Sequence, residues 1–160
     1  VTEDRKQTGL VLSSSVRDNL CLSSLGQLSR LGVMLGRKEA AGAAGMIDEL
    51  KIKTASDALG VANLSGGNQQ KVVLGKWFMI APRILLLDEP TRGVDVGAKR
   101  EIYRVISDFA RAGGAVIMVS SESDEILGMA DRVIVLKDGL KAGELTRDQL
   151  SAEELLHLAA

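Results

Sequence analysis

Residues 64–71 read LSGGNQQK, a hydroxyl residue and two glycines ahead of an apolar run over residues 72–80. The glycines let the backbone approach a ligand closely, and the apolar run predicts a buried helix that opens at this turn. The exposed N–H groups of a first helical turn, aided by the helix dipole, form an anion site. The same residues also fit a plain serine N-cap with flexible glycines, so this stretch alone leaves both interpretations open.

A second apolar run, ILLL at residues 84–87, follows Pro82 and ends at Asp88. A run that is apolar at every position predicts a central strand of a parallel sheet, covered on both faces. Asp88 and Glu89 then stand at the carboxyl end of that strand, where the ligands of open α/β sheets gather. On their own they also fit a solvated loop.

The chain beyond Glu89 continues the alternation of helix and strand. Residues 95–112 predict a helix, because apolar residues recur there at helical spacing, namely Ile102, Val105, Ile106 and Phe109. Residues 113–114, both glycine, end that helix, and residues 115–119 predict the next buried strand. The polar residues 120–122 therefore fall at the same sheet edge as Asp88 and Glu89.

The flanking segments predict smaller elements. Ser15 and Asp18 have the spacing of a capping box, and residues 10–12 fit either a short strand or a loop anchor. The other predicted elements are a helix over residues 37–51 with Ala43, Met46, Ile47 and Leu50 on one face, a helix over 122–129, strands over 132–136 and 140–145 joined by a turn at Asp138-Gly139, and a last helix capped by Thr146 or Ser151.

Composition narrows the classes of function. The 160 residues, 46% of them hydrophobic, suit one core, and the net charge of −1 without a long single-sign block offers no electrostatic support for a nucleic-acid partner. Cys21 is the only cysteine, which excludes an internal disulfide and predicts a small apolar residue in a reducing compartment. The apolar runs are too short to cross a bilayer, so any membrane role is peripheral.

The residues that carry chemistry point to phosphoryl transfer. Two carboxylates at a strand end, a glycine-rich helix start and alternating strands and helices suit a nucleotide with a divalent cation. Oxygen ligands of this kind suit Mg²⁺, which usually takes one or two carboxylates together with phosphate and water.

Three motifs together resemble ABC ATPases: LSGGNQQK at 64–71 resembles the signature, ILLLDEPT at 84–91 the Walker B motif, and RGVDVGAK at 92–99 the D-loop. More narrowly, the chain resembles the second ATP-binding domain of fused bacterial sugar-importer ATPases of the ribose, galactose and xylose type. The opening EDRK at 3–6 and VSSE at 119–122 also fit. The resemblance implies an α/β, RecA-like P-loop NTPase core, with a mainly parallel sheet, helices on both faces and a helical subdomain.

The resemblance also implies a division of the chain and a role for each motif residue. Residues 1–80 would contain the end of the Q-loop region and the helical subdomain, and residues 81–160 the remainder of the core. ATP held by a partner domain would contact the signature through Ser65, Gly66 and Gly67, with Gln69 as a weaker candidate. Asp88 would organise Mg²⁺, Glu89 would be the catalytic residue that polarises water, and Asp95 would lie at the interface between two ATPase domains.

Some features depart from the family pattern. The phosphate-binding Walker A motif, G-x-x-x-x-G-K-[ST], is absent from the sequence, so we expect the chain to be unable to hold ATP in the usual way and to be a piece of a longer protein. Ser121 replaces the switch histidine, and the only histidine, His157, is predicted to lie on the surface. The Q-loop residue would fall at or just before Glu3.

These departures predict an asymmetric pair of ATP sites. Residues 65–67 would serve the more active site, whereas Glu89 would belong to a slower or regulatory one. The resemblance implies an ATP-hydrolysing subunit of a monosaccharide importer at the cytoplasmic face of the membrane. Its partners would be the first ATPase domain of the same subunit, membrane permease subunits and, indirectly, a sugar-binding protein. The alternatives are a soluble ABC ATPase of repair or translation, and a non-catalytic remnant that completes a partner's site.

Overall fold

The apolar segments of the sequence form the predicted helices and strands in a computed structural model of the chain, which describes residues 1–159. They divide into two units, Val1–Val119 and a second that begins at Ser120. The first unit contains α1 (Val16–Cys21), α2 (Leu25–Leu28), β1 (Ser29–Arg30), β2 (Val33–Met34), α3 (Gly36–Glu49), α4 (Gly66–Phe78), β3 (Ile84–Asp88), α5 (Val96–Arg111) and β4 (Ala115–Val119). The functional boundary near residue 80 stays a prediction.

The start of α1 confirms the predicted capping box. The Ser15 hydroxyl accepts from the Asp18 amide at 3.1 Å, and the Asp18 carboxylate accepts from the Ser15 amide at 3.0 Å. Ahead of it, the apolar residues 10–12 act as a loop anchor, because Leu10 is buried in the core while Val11 is exposed. A short π-helix, Arg5–Gly9, precedes this loop and begins at Asp4, whose carboxylate accepts from two backbone amides.

Helices α1, α3 and α4 enclose the core of the first unit. Val72, Val73 and Leu74 of α4 are fully buried, as expected from the apolar residues of this helix. Cys21 packs among them as a small apolar residue, and burial raises the pKa of its thiol to about 11. The prediction that Cys21 is a small buried apolar residue is therefore confirmed, and the reducing compartment stays a prediction.

Helices α4 and α5 pack side by side and run parallel. Three contacts with almost the same offset in residue number join them: Gly67 lies against Ala98, Lys71 forms an ion pair with Glu101, and the Phe78 and Phe109 rings stack at 5.4 Å. The start of α4 contacts the start of α5, and the end of α4 contacts the end of α5, so the two helices point in the same direction. Both helices therefore begin at the same end of this pair.

Strands β3 and β4 form the predicted parallel pair, in a register that sets Ile84 beside Ala115 and Asp88 beside Val119. The backbone of Val1 bonds to the other edge of β3, at Leu86 and Asp88. Within residues 1–159 the pair is covered on one face only: Leu85 and Leu87 are buried, whereas Ile84 is 60% exposed. An unbroken apolar run indicates that both faces favour burial, but it does not reveal whether the same stretch of chain covers both.

The second unit contains α6 (Ser123–Met129), β5 (Arg132–Lys137), β6 (Leu140–Thr146) and α7 (Ala152–Ala159). Strands β5 and β6 form an antiparallel hairpin, and Asp138 and Gly139 turn it with positive φ angles of 50° and 77°. Between the two predicted caps of the last helix, Ser151 is the one used, since its hydroxyl accepts from the Glu154 amide. No helix within residues 1–159 is both long and apolar enough to cross a bilayer.

The ion pair between α4 and α5 predicts a pH effect on stability. Lys71 Nζ is buried, lies 2.5 Å from Glu101 Oε2 and also donates to the Lys51 carbonyl. Hydrogen bonding to Lys71 lowers the pKa of Glu101, so this stabilisation is present above the ordinary glutamate pKa and is lost as pH falls through the lowered value. We expect Glu101→Gln to lower the free energy of unfolding at pH 7 by up to about 1 kcal/mol.

Urea unfolding at pH 7 and at about pH 4 checks this, since the difference between wild type and Glu101→Gln should shrink as the carboxylate protonates. Glu49→Gln, at an exposed position at the end of α3, is the matched control. A difference that stays constant over this pH range would contradict the prediction.

Candidate functional site

The signature turn, which we define as residues Ser65–Gly67, opens helix α4 as predicted. Ser65 has the extended backbone of an N-cap, with φ −61° and ψ 157°, and its carbonyl accepts the first helical bond from Gln69. Its hydroxyl accepts from Asn68 Nδ2 at 2.9 Å, and Asn68 Oδ1 in turn accepts from the Lys53 amide at 2.8 Å. The serine thus occupies the N-cap position, while the Asn68 side chain holds its hydroxyl in place.

Packing requires glycine at residue 67 of the signature turn and leaves little room at residue 66. A Cβ at Gly67 would lie 2.4 Å from the Cβ of Ala98, and one at Gly66 would lie 2.9 Å from a guanidinium nitrogen of Arg5 and 3.3 Å from the Gly93 carbonyl. A side chain does not fit at residue 67, and one at residue 66 would displace the Arg5 guanidinium. The turn therefore lies against the start of α5. This packing is a structural reason for glycine, in addition to the predicted close approach of a ligand.

Gln69, the weaker of the predicted ATP contacts, has an internal role. It is 5% exposed, its Nε2 donates to the Val61 carbonyl at 3.3 Å, and its Oε1 lies 3.5 Å from Arg5 Nε. Its amide is used within the first unit, so the geometry favours Ser65, Gly66 and Gly67 over Gln69 as residues that face a ligand.

Asp88 and Glu89 lie at the carboxyl end of β3, as predicted. The Asp88 side chain is exposed, and Glu89 is half-buried with a positive φ of 45°. The Glu89 amide donates to the Val119 carbonyl at 2.9 Å, so the carboxylate is carried on backbone that the neighbouring strand holds. Left-handed backbone at a non-glycine residue costs free energy and often marks a functional position.

We call residues 89–95 the D-loop turn. The Arg92 amide donates to the Glu89 carbonyl and the Val94 amide to the Thr91 carbonyl, and Gly93 takes a φ of 65°. The turn ends at Asp95, whose carboxylate accepts from the Ala98 amide at 2.9 Å and caps α5. Asp95 thus has a structural role in the isolated chain, and its role between ATPase domains stays a prediction.

The carboxylates of this edge suit a shared magnesium ion. Among residues 1–159 there is no group of three or more His, Cys, Asp or Glu residues that could hold a metal unaided. The donors present, Asp88 and Glu89, match the preference of Mg²⁺ for one or two carboxylates completed by phosphate and water. Asp88 and Glu89 therefore fit such an ion, whose binding stays a prediction.

Ser121, the predicted replacement for the switch histidine, is exposed at the start of the second unit. The adjacent Ser120 hydroxyl accepts from the Glu122 amide at 3.1 Å. His157 lies exposed on α7, which confirms the prediction that it is a surface residue.

Three basic residues that connect elements of the first unit were missed by sequence reasoning. Arg5 joins the signature turn to the D-loop turn, Lys71 joins α4 to α5, and Lys76 donates to the Gly9 carbonyl at 2.5 Å in a buried setting that lowers its pKa. For the two lysines a signal was available, because both fall within the helix that the mostly apolar residues 72–80 predict to be buried. Arg5 stands in a charged run that is typical of a solvated surface.

Comparison with known proteins places these features in a family. A family model described as ABC transporter matches residues 3–92. The chain is 53% identical over 159 residues to a ribose import ATP-binding protein of Geobacillus kaustophilus, covering 99% of the chain and 32% of the relative. It is 50% identical over 158 residues to an L-arabinose transport ATP-binding protein of Geobacillus stearothermophilus, covering 31% of that relative. The chain thus spans about a third of the length of these relatives.

Solved structures agree at the level of the fold. An ATP-binding cassette of an ABC transporter matches 95% of this chain and 65% of its own with a TM-score of 0.77 at 20% identity. A dimeric cassette bound to ADP and inorganic phosphate matches 89% of this chain and 60% of its own with a TM-score of 0.74 at 24% identity. The α/β fold is therefore that of part of an ATP-binding cassette, as predicted.

The close approach of α4 and α5 predicts that Gly67→Ala destabilises the chain. The new methyl group would collide with Ala98, and overpacking of this kind typically costs about 1–3 kcal/mol. Gly45→Ala is the matched control, because a Cβ there meets open space within helix α3 and should stabilise by up to about 1 kcal/mol. Urea unfolding of both variants measures the two effects, and a neutral Gly67→Ala would contradict the packing described.

Proposed function

The chain belongs to the ABC transporter family, and from this premise we propose that it is part of the ATP-hydrolysing motor of a monosaccharide importer. The names of its relatives, a ribose importer protein and an arabinose transport protein among them, support a monosaccharide as the cargo. Because the chain spans about a third of those relatives, the activity belongs to an assembly larger than these 160 residues.

The observation that carries this proposal is the pair of helix starts at the signature turn. Since α4 and α5 run parallel, the positive ends of both helix dipoles lie side by side. The Asp95 carboxylate caps α5 and offsets the charge there, whereas α4 begins at the uncharged Ser65. The start of α4 is therefore the end of the pair that suits an external anion, such as the γ-phosphate of ATP.

Each motif residue then has a role in hydrolysis. The Ser65 hydroxyl, oriented by Asn68, and the backbone of Gly66 and Gly67 would contact the γ-phosphate of an ATP held by another domain. Asp88 and Glu89 belong to a second ATP site, where Glu89 would orient and polarise the attacking water. A magnesium ion bound there with ATP would supply charge neutralisation for the phosphates, and Asp88 would help to hold it.

The same proposal assigns parts and partners. Residues 1–80 would contain the end of the Q-loop region and the helical subdomain that faces the permease, and residues 81–160 the remainder of the ATPase core. A further ATPase domain would supply the ATP that faces the signature turn. Permease subunits, and through them a sugar-binding protein, would place the assembly peripherally at the cytoplasmic face of the membrane.

The isolated chain is expected to bind ATP weakly. A Walker A backbone usually supplies most of the phosphate contacts, and its motif does not occur in the 160 residues. Calorimetric titration with Mg²⁺-ATP should give a Kd weaker than about 1 mM, against tighter binding by the whole Geobacillus kaustophilus relative as control. Micromolar affinity of the isolated chain would contradict the idea that the ATP sites are shared with residues outside it.

The asymmetry of the two sites is tested in a chimera in which this chain replaces the corresponding 159 residues of the Geobacillus kaustophilus relative. Ser65→Arg should remove most of the ATPase activity, because a bulky side chain then occupies the phosphate position. Glu89→Gln should cost less than the factor of about 10²–10⁴ typical of losing a catalytic base at the main site.

Ser13→Arg and Glu153→Gln, at exposed positions of the same chain, control for the two kinds of substitution. Steady-state ATPase rates of the four variants decide the outcome. Equal losses from Ser65→Arg and Glu89→Gln would contradict the asymmetry, while an ATPase that tolerates both would contradict the proposed function itself.

A further inference from the structure

Arg5 is the side chain that connects the two turns of the site. It lies in the π-helix Arg5–Gly9 and is half-buried, so its guanidinium is partly withdrawn from water. Its Nη1 donates to the Arg92 carbonyl at 2.7 Å and its Nη2 to the Gly93 carbonyl at 3.0 Å. Both acceptors belong to the D-loop turn, between Glu89 and Asp95.

The geometry of this contact is specific for arginine. Two nitrogens of one planar guanidinium bind two consecutive carbonyls, which a lysine ammonium does not reproduce with its single nitrogen. Both acceptors are backbone carbonyls, which cannot change rotamer as a side chain can. The contact therefore fixes the path of the backbone at Arg92 and Gly93, where the positive φ of Gly93 turns the chain.

The other side of the guanidinium faces the start of α4. Arg5 Nε lies 3.5 Å from Gln69 Oε1, and Arg5 Nη2 would lie 2.9 Å from a Cβ at Gly66. Gln69 is held in turn by the Val61 carbonyl. One side chain thus contacts the D-loop turn and the first turn of α4 together.

An ion pair adds to the link made by the same short segment. The Glu3 carboxylate pairs with the Arg92 guanidinium, and Arg5 binds the Arg92 carbonyl. Residues 3–5 therefore hold both the side chain and the backbone of Arg92. Displacement of residues 3–5 would therefore pull on the D-loop turn directly.

We propose that Arg5 is a positioning residue that sets the D-loop turn, and with it Glu89 and Asp95, in register with the signature turn. The inference rests on the proposed function, in which those turns serve two ATP sites. Because Arg5 acts on backbone and contacts no reacting group, its loss should slow turnover more than it weakens ATP binding.

The first test measures ATPase kinetics of Arg5→Met and Arg5→Lys in the chimera. A displaced catalytic constellation commonly loses on the order of 10–100-fold in rate, so we expect a drop of that size in kcat for Arg5→Met with KM for ATP within about threefold of wild type. The kcat of Arg5→Lys should lie between those of Arg5→Met and wild type, since lysine keeps the charge but lacks the two guanidinium nitrogens that bind both carbonyls. Lys6→Met, at the exposed neighbouring position, should leave both constants near wild type.

The second test follows amide hydrogen exchange in the chain itself. In Arg5→Met the amides of residues 92–95 should exchange about tenfold faster or more, while those of α3 stay unchanged. Uniformly faster exchange would reveal a general loss of stability and overturn the proposal. Full activity of Arg5→Lys or Arg5→Met would also overturn the proposal. Unchanged exchange rates at residues 92–95 would do the same.

The two tests separate this inference from the proposed function. If the wild-type chimera hydrolyses no ATP, the proposed function fails, and hydrogen exchange alone then decides the placement of the D-loop turn by Arg5. If the wild-type chimera is active, locally faster exchange together with a fall in kcat supports the proposal, and either result without the other overturns it.

Discussion

The close contact of Gly67 with Ala98 is the constraint on which the rest of the first unit depends. With no room for a Cβ at residue 67, the backbones of α4 and α5 meet at their first turns. The Lys71–Glu101 ion pair and the stacked Phe78 and Phe109 rings then keep the two helices parallel along their length. A parallel pair places two positive helix ends together, which normally repel. Asp95 offsets that repulsion at α5, and the start of α4 is left as the place where an anion is most favourable.

Most of the fold was predictable because the chain repeats strong local signals. Helical spacing of apolar residues predicted α5 to within a residue at each end, and the run at residues 115–119 predicted β4 without error. The capping box at Ser15 and the Asp138-Gly139 turn are short-range patterns that depend on neighbours in sequence. The positions of Asp88, Glu89 and Ser65 followed from the elements on which they lie.

The remaining features depend on contacts between distant parts of the chain, for which local pattern carries no information. Arg5 binds residues nearly ninety positions away, and its charged neighbours hid that role. Gln69 belongs to a motif typical of nucleotide contact, yet tertiary packing uses its amide internally. The exposed face of β3 is a further example. Its apolar residues predict burial, but the sequence does not indicate which other residues would cover them.

At Glu89 the backbone and the proposed chemistry favour different residues, because φ is positive there while the proposed role needs a carboxylate. A left-handed conformation costs an ordinary side chain about 1–2 kcal/mol, and glycine or asparagine would relieve much of that cost. Variants chosen for thermal stability alone would therefore drift away from glutamate at residue 89, whereas under the proposed function variants chosen for ATP turnover would keep it. Selection for stability alone on this backbone would thus act against the proposed catalytic carboxylate, as it would against the side chains at the other non-glycine positions with positive φ, Leu31, Lys51, Ala81 and Asp138.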